Sequence, residues 1–158
     1  MYREYRNSDG LHIVLPENVF QDICKQVDKF YPNECGGIFV GKITDDSTAT
    51  IEKMILPKKF RSTPVYFVRL TGFINKWLKD IFKKHNGDVI YLGEWHSHPN
   101  GSSHPSGTDI KAMKEIASNP DIRIQTPILL IVGFNKKDYQ ERFFIYKNNQ
   151  LISYEQQN

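Results

Sequence analysis

Two histidines, a serine and an aspartate lie close together in the sequence and could hold one metal ion. Glu94-Trp95-His96-Ser97-His98-Pro99 is followed by Ser106-Gly107-Thr108-Asp109. In an extended segment side chains alternate between faces, so His96 and His98 point the same way and can converge on one ion. Two nitrogen ligands and one carboxylate oxygen leave a fourth tetrahedral position for water, as in catalytic zinc sites. The pattern therefore points to a hydrolase.

The segment after the histidines must bring Asp109 back to them. Pro99 cannot donate to a strand ladder and biases its predecessor toward extended geometry, so we expect the strand to end there. Ser106 is expected to cap a helix running from Thr108 to about Ser118, which places Asp109 in the first helical turn. Residues 100–105 are rich in Gly, Ser and Pro and are long enough to fold that turn back.

Each half of the pattern also has a simpler interpretation. Ser106 and Asp109 resemble a capping box, with Asp in place of the usual Glu or Gln. The two histidines are also compatible with partly exposed polar residues at the end of a strand. The joint pattern, by contrast, should arise by chance on the order of once in ten thousand chains of this size, given average composition.

The motif resembles the JAMM motif of the JAB1/MPN/Mov34 metalloproteases, with His96-Ser97-His98-Pro99 followed by Ser106 and Asp109 at the family's spacing. In that family an upstream glutamate completes the site, and Glu34 resembles it because it precedes Gly36-Gly37-Ile38-Phe39-Val40-Gly41. The resemblance spans about Glu17 to Tyr146. It is strongest to the small bacterial members, some of which act on ubiquitin-like conjugates, including those of the antiphage CBASS systems.

The resemblance implies one catalytic zinc ion per chain, with His96, His98 and Asp109 as its ligands. It also implies that Glu34 is the general base and that Ser106 donates a hydrogen bond to the reacting carbonyl oxygen. The chemistry agrees with these roles. A bound zinc lowers the pKa of its water toward about 7. A carboxylate can take the proton of that water and pass it to the leaving amine, and one donor to the developing oxyanion contributes about 2.7 to 4 kcal/mol.

Glu94 is a second candidate for the general base, because strand alternation puts it on the same face as the histidines. A strand rises about 3.3 Å per residue, so Glu94 lies about 7 Å back from His96 along the strand, which favours Glu34. A structural alternative for Glu34 is helix-termination chemistry near Pro32 and Gly36.

The remaining histidines and the cysteines have other expected roles. His12 and His85 have no ligand partners at a convincing spacing, so we expect them to be surface or structural residues. His104 lies in the loop between the ligands, where it could line the entrance of the site. Cys24 and Cys35 form no Cys-x-x-Cys pair, and we expect both to be buried, Cys35 because it points away from the face used by its glutamate neighbour.

Composition and length set broad bounds. The 158 residues fit a single domain spanning 1–158, and 39% hydrophobic with 13% aromatic content can supply its core. Lys and Arg number 21 against 18 Asp and Glu, a net charge of +3, so we expect no nucleic-acid partner. The chain begins Met-Tyr-Arg-Glu-Tyr-Arg, without an apolar signal region, and no apolar run reaches membrane-spanning length. These features predict a cytoplasmic protein without a membrane partner.

The periodicity predicts an α+β fold in which helices flank a mixed sheet. One helix is expected to open at Pro16, and another is expected to be capped by Thr71 and to end near Asn86-Gly87. The predicted strands are Leu11–Leu15, Ile38–Val40, Ala49–Leu56, Val65–Val68, Val89–Trp95, Ile128–Phe134, Arg142–Tyr146 and Leu151–Tyr154, with a loop at Pro57–Pro64. The resemblance implies the JAB1/MPN fold, which is described as cytidine-deaminase-like.

The resemblance also implies a substrate. This is a peptide or isopeptide bond after the C-terminal tail of a ubiquitin-like protein or in its conjugate, with the tail bound in an extended form. An extended tail can add a strand to a sheet edge, and Arg61–Leu70 is the candidate edge. Three alternatives stay open: a peptidase that trims a sulfur-carrier protein, a non-catalytic MPN scaffold, and a RadC-like protein associated with DNA repair. RadC-like proteins share His-x-His-Pro, and salt-sensitive DNA binding would distinguish them.

Overall fold

A computed structural model describes residues 1–57, 60–63, 66–69, 74–122, 124–136 and 138–158. This described part contains three helices and eleven strands. In chain order they are β1 (Tyr2–Arg6), β2 (His12–Pro16), α1 (Glu17–Phe30), β3 (Gly36–Thr44), β4 (Thr48–Ile55), β5 (Phe60–Thr63), β6 (Tyr66–Arg69), α2 (Ile74–Lys84), β7 (Ile90–Pro99), α3 (Gly107–Ser118), β8 (Ile128–Asn135), β9 (Asp138–Lys147), β10 (Gln150–Ser153) and β11 (Glu155–Gln156).

Nine of these strands form one mixed sheet in the order β10-β9-β8-β7-β3-β4-β2-β1-β11, while β5 and β6 form a separate antiparallel pair. The neighbours β7 and β8 run parallel, with α3 as the crossover between them. The neighbours β3 and β7 run antiparallel. The start of β3 and the end of β7 therefore lie side by side at one end of these two strands, next to the first turn of α3. The mixed sheet with flanking helices confirms the predicted α+β class.

Hydrophobic side chains fill both faces of the sheet. α1 covers one of them, here called the α1 face, through Val19, Ile23 and Val27, which recur at helical spacing. α3 covers the opposite face, here called the α3 face, through Met113 and Ile116, and α2 lies beside it. Each fully buried aliphatic side chain contributes about 1.5–3 kcal/mol to folding. No helix among the described residues is long and apolar enough to cross a membrane.

The sheet curls around the α1 face until distant strands touch. β1 and β9 have five strands between them in the sheet order. Even so, the rings of Tyr5 and Phe143 meet edge to face with their centroids 4.8 Å apart. Arg3 joins the same seam, because its guanidinium bonds both Glu17 at 2.8 Å and Glu141. This curvature encloses the larger of the two hydrophobic clusters.

A β-bulge in β7 decides which side chains share a face. Val40 pairs with Tyr91 and Phe39 pairs with Gly93, so Leu92 is an extra residue opposite β3. A Cβ on Gly93 would lie 1.9 Å from the carbonyl oxygen of Ile128 on the neighbouring strand. Glycine therefore permits the close approach of β7 to β8 at the bulge.

The bulge changes the alternation of side chains along β7. Leu92 and Trp95 both pack into the core of the α1 face although they are three residues apart. Tyr91 and Glu94 share the α3 face, where the Tyr91 hydroxyl donates to Glu94 at 2.9 Å. His96 follows Glu94 at the next position on that face. The extra residue therefore aims the histidines at the helix that carries Asp109.

The segment after β4 differs from the prediction. The predicted loop Pro57–Pro64 is wrong in part, because Phe60–Thr63 is a strand that pairs with β6. The predicted strand Val65–Val68 is replaced by Tyr66–Arg69, and Val65 lies outside the described residues, as does Pro64. A hairpin is stabilised by pairing between its two strands, which the composition of either strand alone does not reveal. The described residues of the candidate edge Arg61–Leu70 therefore belong to a strand pair separate from the main sheet, and Leu70 lies outside the described residues.

Other differences concern the boundaries and the outer strands of the sheet. β1 and β11 were not predicted because both are short and lack a clear apolar alternation. β7 ends at Pro99, as the proline predicted, and not at Trp95, the bound that periodicity gave, so both histidines lie within the strand. The expected cap of α2, Thr71, lies outside the described residues. The other predicted helices and strands are confirmed to within a few residues, apart from β3 and β9, which are longer than predicted.

We expect Gly93→Ala to lower the free energy of unfolding by about 3 kcal/mol, because the new methyl group would force β7 and β8 apart. Urea unfolding followed by circular dichroism measures this loss. Gly107→Ala is the matched control, since a methyl group there would meet no other segment of the chain within 4 Å, and a change of less than about 1 kcal/mol is expected. Equal stability of the two variants would contradict this account of the bulge.

Candidate metal centre

The capping box at the start of α3 holds the carboxylate of Asp109. The Ser106 backbone N–H and its hydroxyl donate to Asp109 Oδ2 at 2.5 and 2.8 Å. The Asp109 backbone N–H donates back to the Ser106 oxygen at 3.3 Å. The predicted N-cap is therefore confirmed. Its capping role is compatible with a role for Asp109 as a metal ligand. The cap engages Oδ2, while Oδ1 faces His96.

Three donor atoms converge at this point. His96 Nε2 lies 3.1 Å from His98 Nε2 and 3.0 Å from Asp109 Oδ1. His98 Nε2 lies 3.7 Å from Asp109 Oδ2. A tetrahedral zinc ion with bonds of about 2.0–2.1 Å requires ligand–ligand separations of about 3.3–3.4 Å. The observed spacing and the two-imidazole, one-carboxylate donor set therefore fit a zinc ion.

The three side chains are partly open to solvent: His96 is 15% exposed, His98 18% and Asp109 10%. A site with three protein ligands that opens to solvent has room for a water or a substrate atom, unlike a closed structural site. Among the described residues, these three form the only group of at least three His, Cys, Asp or Glu with donor atoms this close together.

Neighbouring groups set the charge of Asp109. Burial alone would raise its pKa, but the hydrogen bond and the electrostatic influence of His96 lower it, as do the two bonds from Ser106. The net effect holds the pKa of Asp109 at about 2. The carboxylate is therefore ionised over the whole neutral range, as a metal ligand must be.

One ring nitrogen of His98 bonds to the backbone. Nδ1 lies 2.9 Å from the carbonyl oxygen of Ser102, which can only accept, so Nδ1 carries the proton. Nε2 then has a free lone pair directed at the other ligands. Burial and the electrostatic influence of His96 lower the pKa of His98 against the opposing effects of Ser102 and Asp109, which favours the neutral ring. Both effects prepare His98 to bind a cation.

Glu34 lies just before β3, beside the end of β7. Its neighbour Cys35 is tied to Ser97 on both sides: Cys35 N donates to Ser97 Oγ at 3.0 Å and Ser97 N donates to Cys35 O at 2.8 Å. The Glu34 N–H donates to Thr63 O of the β5–β6 hairpin at 2.8 Å, and the Ser62 hydroxyl donates to Glu34 O. The backbone on both sides of the glutamate is therefore fixed.

The carboxyl group of Glu34 is held in a half-buried position. Burial raises its pKa to about 7, opposed by the charge of His96 and assisted by that of Asp109. The electrostatic influence of these two residues indicates that the Glu34 carboxyl group lies near them. A carboxyl group with a pKa near neutrality can exchange a proton at neutral pH.

The structure gives Glu94 a different environment. It lies on the same face as His96, as predicted, but it accepts a hydrogen bond from the Tyr91 hydroxyl at 2.9 Å.

The other candidate residues do not belong to this group of three donor side chains. His104 is exposed, and its Nδ1 lies 3.2 Å from Ser102 Oγ in the loop between the ligands. His12 pairs with Glu4 at 3.1 Å. Cys24 and Cys35 are both buried, as predicted, and burial raises their thiol pKa values to about 12 and 11. Buried thiols with raised pKa values are poor metal ligands and poor nucleophiles. His85 is half-buried just after α2.

Sequence reasoning missed two serines that support the site. Ser97 is fully buried and its hydroxyl ties β7 to the segment before β3. Ser102 provides the carbonyl group that orients His98. The sequence held a weak indication of the role of Ser97. Because it alternates with the two histidines, it must face the opposite side of the sheet, where a small polar residue needs a hydrogen-bond partner. The sequence held no indication for Ser102, because any residue can supply a backbone carbonyl.

Comparisons with known proteins agree with this architecture. Residues 16–146 match the family described as prokaryotic homologs of the JAB domain. A protein named "CD-NTase/cGAS isopeptidase" from Enterobacter hormaechei is 31% identical over 123 residues, which cover 77% of this chain and 67% of that protein. A "probable metalloprotease" from Sinorhizobium fredii is 30% identical over 125 residues, covering 76% and 74%.

The fold has a solved counterpart. The solution structure of a protein from Desulfitobacterium hafniense superimposes with a TM-score of 0.65 and covers 87% of this chain and 86% of that one. Their sequences are 18% identical, so this likeness concerns the fold alone.

The raised pKa of Glu34 predicts how pH affects stability. The folded state holds the proton more tightly than the unfolded state, so the stability from the neutral form is present below pH 4.5 and is lost as pH rises through about 7. In metal-free protein, Glu34→Gln should therefore gain stability over wild type between about pH 5 and 7.5. Because the group is half-buried, the gain is on the order of 1 kcal/mol. Urea unfolding at several pH values measures it, and parallel curves for the two proteins would contradict the prediction.

Proposed function

Because the chain belongs to the prokaryotic homologues of the JAB domain, we propose that it is a zinc-dependent metallopeptidase of the JAMM type. The observation that carries this proposal is the arrangement of three donor atoms at tetrahedral spacing, with a half-buried glutamate beside them. Two relatives that are named as an isopeptidase and a metalloprotease support the same reaction class.

In this proposal His96, His98 and Asp109 hold one zinc ion per chain. Zinc at this position would act as a Lewis acid that polarises a carbonyl group and lowers the pKa of a water molecule toward about 7. The ionised Asp109 supplies the negative charge that the cation needs. The Ser102 carbonyl keeps the His98 lone pair turned toward the centre.

Glu34 is proposed to move the proton. Burial raises the pKa of this carboxyl group to about 7 in the metal-free protein, which makes it a stronger base toward water than an exposed glutamate. The same group, once protonated, is acidic enough to pass that proton to the leaving amine. Amide hydrolysis needs both transfers, and a single group poised near neutrality serves both.

Ser106 is proposed to donate its hydroxyl to the oxygen of the reacting carbonyl. In the structure that hydroxyl donates to Asp109 Oδ2 at 2.8 Å, so its single proton must turn from the carboxylate to the substrate. The Ser106 N–H remains on Oδ2 at 2.5 Å and keeps the ligand in place during that exchange. Ser106 would thus both position Asp109 and donate to the substrate.

The proposed substrate is the bond after the C-terminal tail of a ubiquitin-like protein, either in a conjugate or in a precursor. The β5–β6 hairpin touches the backbone of Glu34 through Thr63 and Ser62, so it borders the site. An extended tail that paired with a strand there would pass the catalytic glutamate. Deconjugation in bacterial antiphage CBASS defence, in the cytoplasm, is the proposed setting, by analogy with the relative whose name refers to a CD-NTase.

The choice of general base can be tested directly. In zinc-loaded protein, Glu34→Gln should lower kcat/KM about 10²- to 10⁴-fold, because the proton acceptor is lost while the ligands stay intact. Cleavage of a panel of ubiquitin-like and sulfur-carrier fusions, with zinc content measured alongside, provides the readout. Glu94→Gln is the matched control and should keep most of the activity. Full activity of the Glu34 variant, or wild-type activity that survives chelation, would refute the mechanism.

Ser106 can be tested through its two roles. Ser106→Ala should lower kcat by about 10²- to 10³-fold, as for the loss of one donor to an oxyanion. The same change should cost about 1 kcal/mol of stability through the lost cap. Ser106→Thr keeps a hydroxyl and should restore most of both. Rescue of stability by threonine without any recovery of kcat would argue against the donor role.

A further inference from the structure

β8 carries a glycine at a position that faces the metal centre. Leu130 and Val132 pack into the core of the α1 face, while Leu129 and Ile131 pack into the core of the α3 face. By this alternation residue 133 belongs to the α3 face, the side on which the histidines project. Gly133 is also the strand partner of His98. It therefore leaves an open place on the sheet directly beside a ligand.

Backbone from the loop after β7 fills this open place. A Cβ on Gly133 would lie 2.7 Å from Gly101 O, 2.8 Å from Ser102 C and 2.9 Å from Ser103 N. All three are backbone atoms, so they cannot swing away as the end of a long side chain could. Ser103 is buried at 6% exposure, which agrees with a loop pressed onto the sheet.

A tight turn returns the loop to this position. Gly101 N donates to His98 O at 3.1 Å, which closes a four-residue turn. Pro99 and Asn100 are its central residues, and Asn100 has φ of +55°, the combination of a type II turn. Asn100 N also donates to Phe134 O at 2.7 Å. The turn is thus tied to β8 immediately next to Gly133.

The loop places one functional atom, the carbonyl oxygen of Ser102. It lies 2.9 Å from His98 Nδ1 and accepts the proton of that nitrogen. A displaced loop would withdraw this acceptor, and the imidazole could then rotate or change its tautomer. Partners of this kind set the orientation and basicity of a metal-bound histidine.

We propose that Gly133 is a positioning residue for the metal centre: by lacking a side chain, it lets residues 101–103 lie on β8 and hold His98 in its metal-binding tautomer through the Ser102 carbonyl. Gly133 acts only through this loop and touches neither metal nor substrate. The expected effect on zinc affinity rests on the proposed zinc site. The tautomer itself is a property of the metal-free chain.

Gly133→Ala tests the proposal with two measurements that need no substrate. Zinc affinity, measured by competition with a chromophoric chelator, should fall about 10- to 100-fold. In metal-free protein at about pH 8, long-range ¹H–¹⁵N spectra should show His98 with its proton on Nδ1 in wild type and a mixture of tautomers in the variant. Unchanged affinity together with an unchanged tautomer would overturn the proposal.

Val132→Ala serves as the matched control. It removes buried volume from the adjacent position, but on the α1 face, so it should lose stability while zinc affinity stays within about twofold of wild type. An equal loss of affinity in Val132→Ala would show that general destabilisation is the cause and would overturn the proposal.

A second variant decides the case if Gly133→Ala does not fold. Gly101→Ala places a methyl group 3.3 Å from His98 Cβ and crowds the same loop more gently. A smaller loss of affinity with a shift toward mixed tautomers is expected, and wild-type values for both would overturn the proposal. If wild-type protein binds no zinc at all, the proposed function fails, and the tautomer measurement alone then decides the role of Gly133.

Discussion

The capping box between Ser106 and Asp109 is the interaction on which the site depends. It satisfies two backbone N–H groups at the start of α3 and also gives both oxygens of one carboxylate separate tasks. Oδ2 belongs to the helix, and Oδ1 lies 3.0 Å from His96 Nε2. Because the helix cannot begin elsewhere without losing its cap, the position of the ligand is as rigid as that of the helix.

Electrostatic interactions and burial give the carboxyl groups of Asp109 and Glu34 different pKa values. Hydrogen bonds and the charge of His96 overcome burial at Asp109, while burial prevails at Glu34 and raises its pKa to about 7. Two ionised carboxylates in one partly buried site would repel each other without a cation between them. One carboxyl that stays charged and one that exchanges a proton near neutrality are what a ligand and a proton carrier require.

Glycine and backbone geometry bring these groups within reach of one another. Gly93 lets β7 bulge against β8, which turns the histidines toward α3, and Gly133 leaves room for the loop that bonds His98. Neither glycine takes part in the proposed chemistry. Each leaves room for the backbone of a neighbouring segment. A side chain at either position would occupy that room, because protein interiors are closely packed.

The sequence by itself determined the proposed ligand set, the cap of α3 and the α+β class, because each depends on residues close together in the chain: His96 and His98 through strand alternation, Ser106 and Asp109 through the first turn of a helix. It placed Glu34 only through resemblance to a family, since no local rule relates a residue 62 positions before His96 to that histidine. The tertiary structure decided the bulge at Leu92, the β5–β6 hairpin and the loop resting on Gly133. Those features depend on contacts between distant segments, and local periodicity holds no information about such contacts.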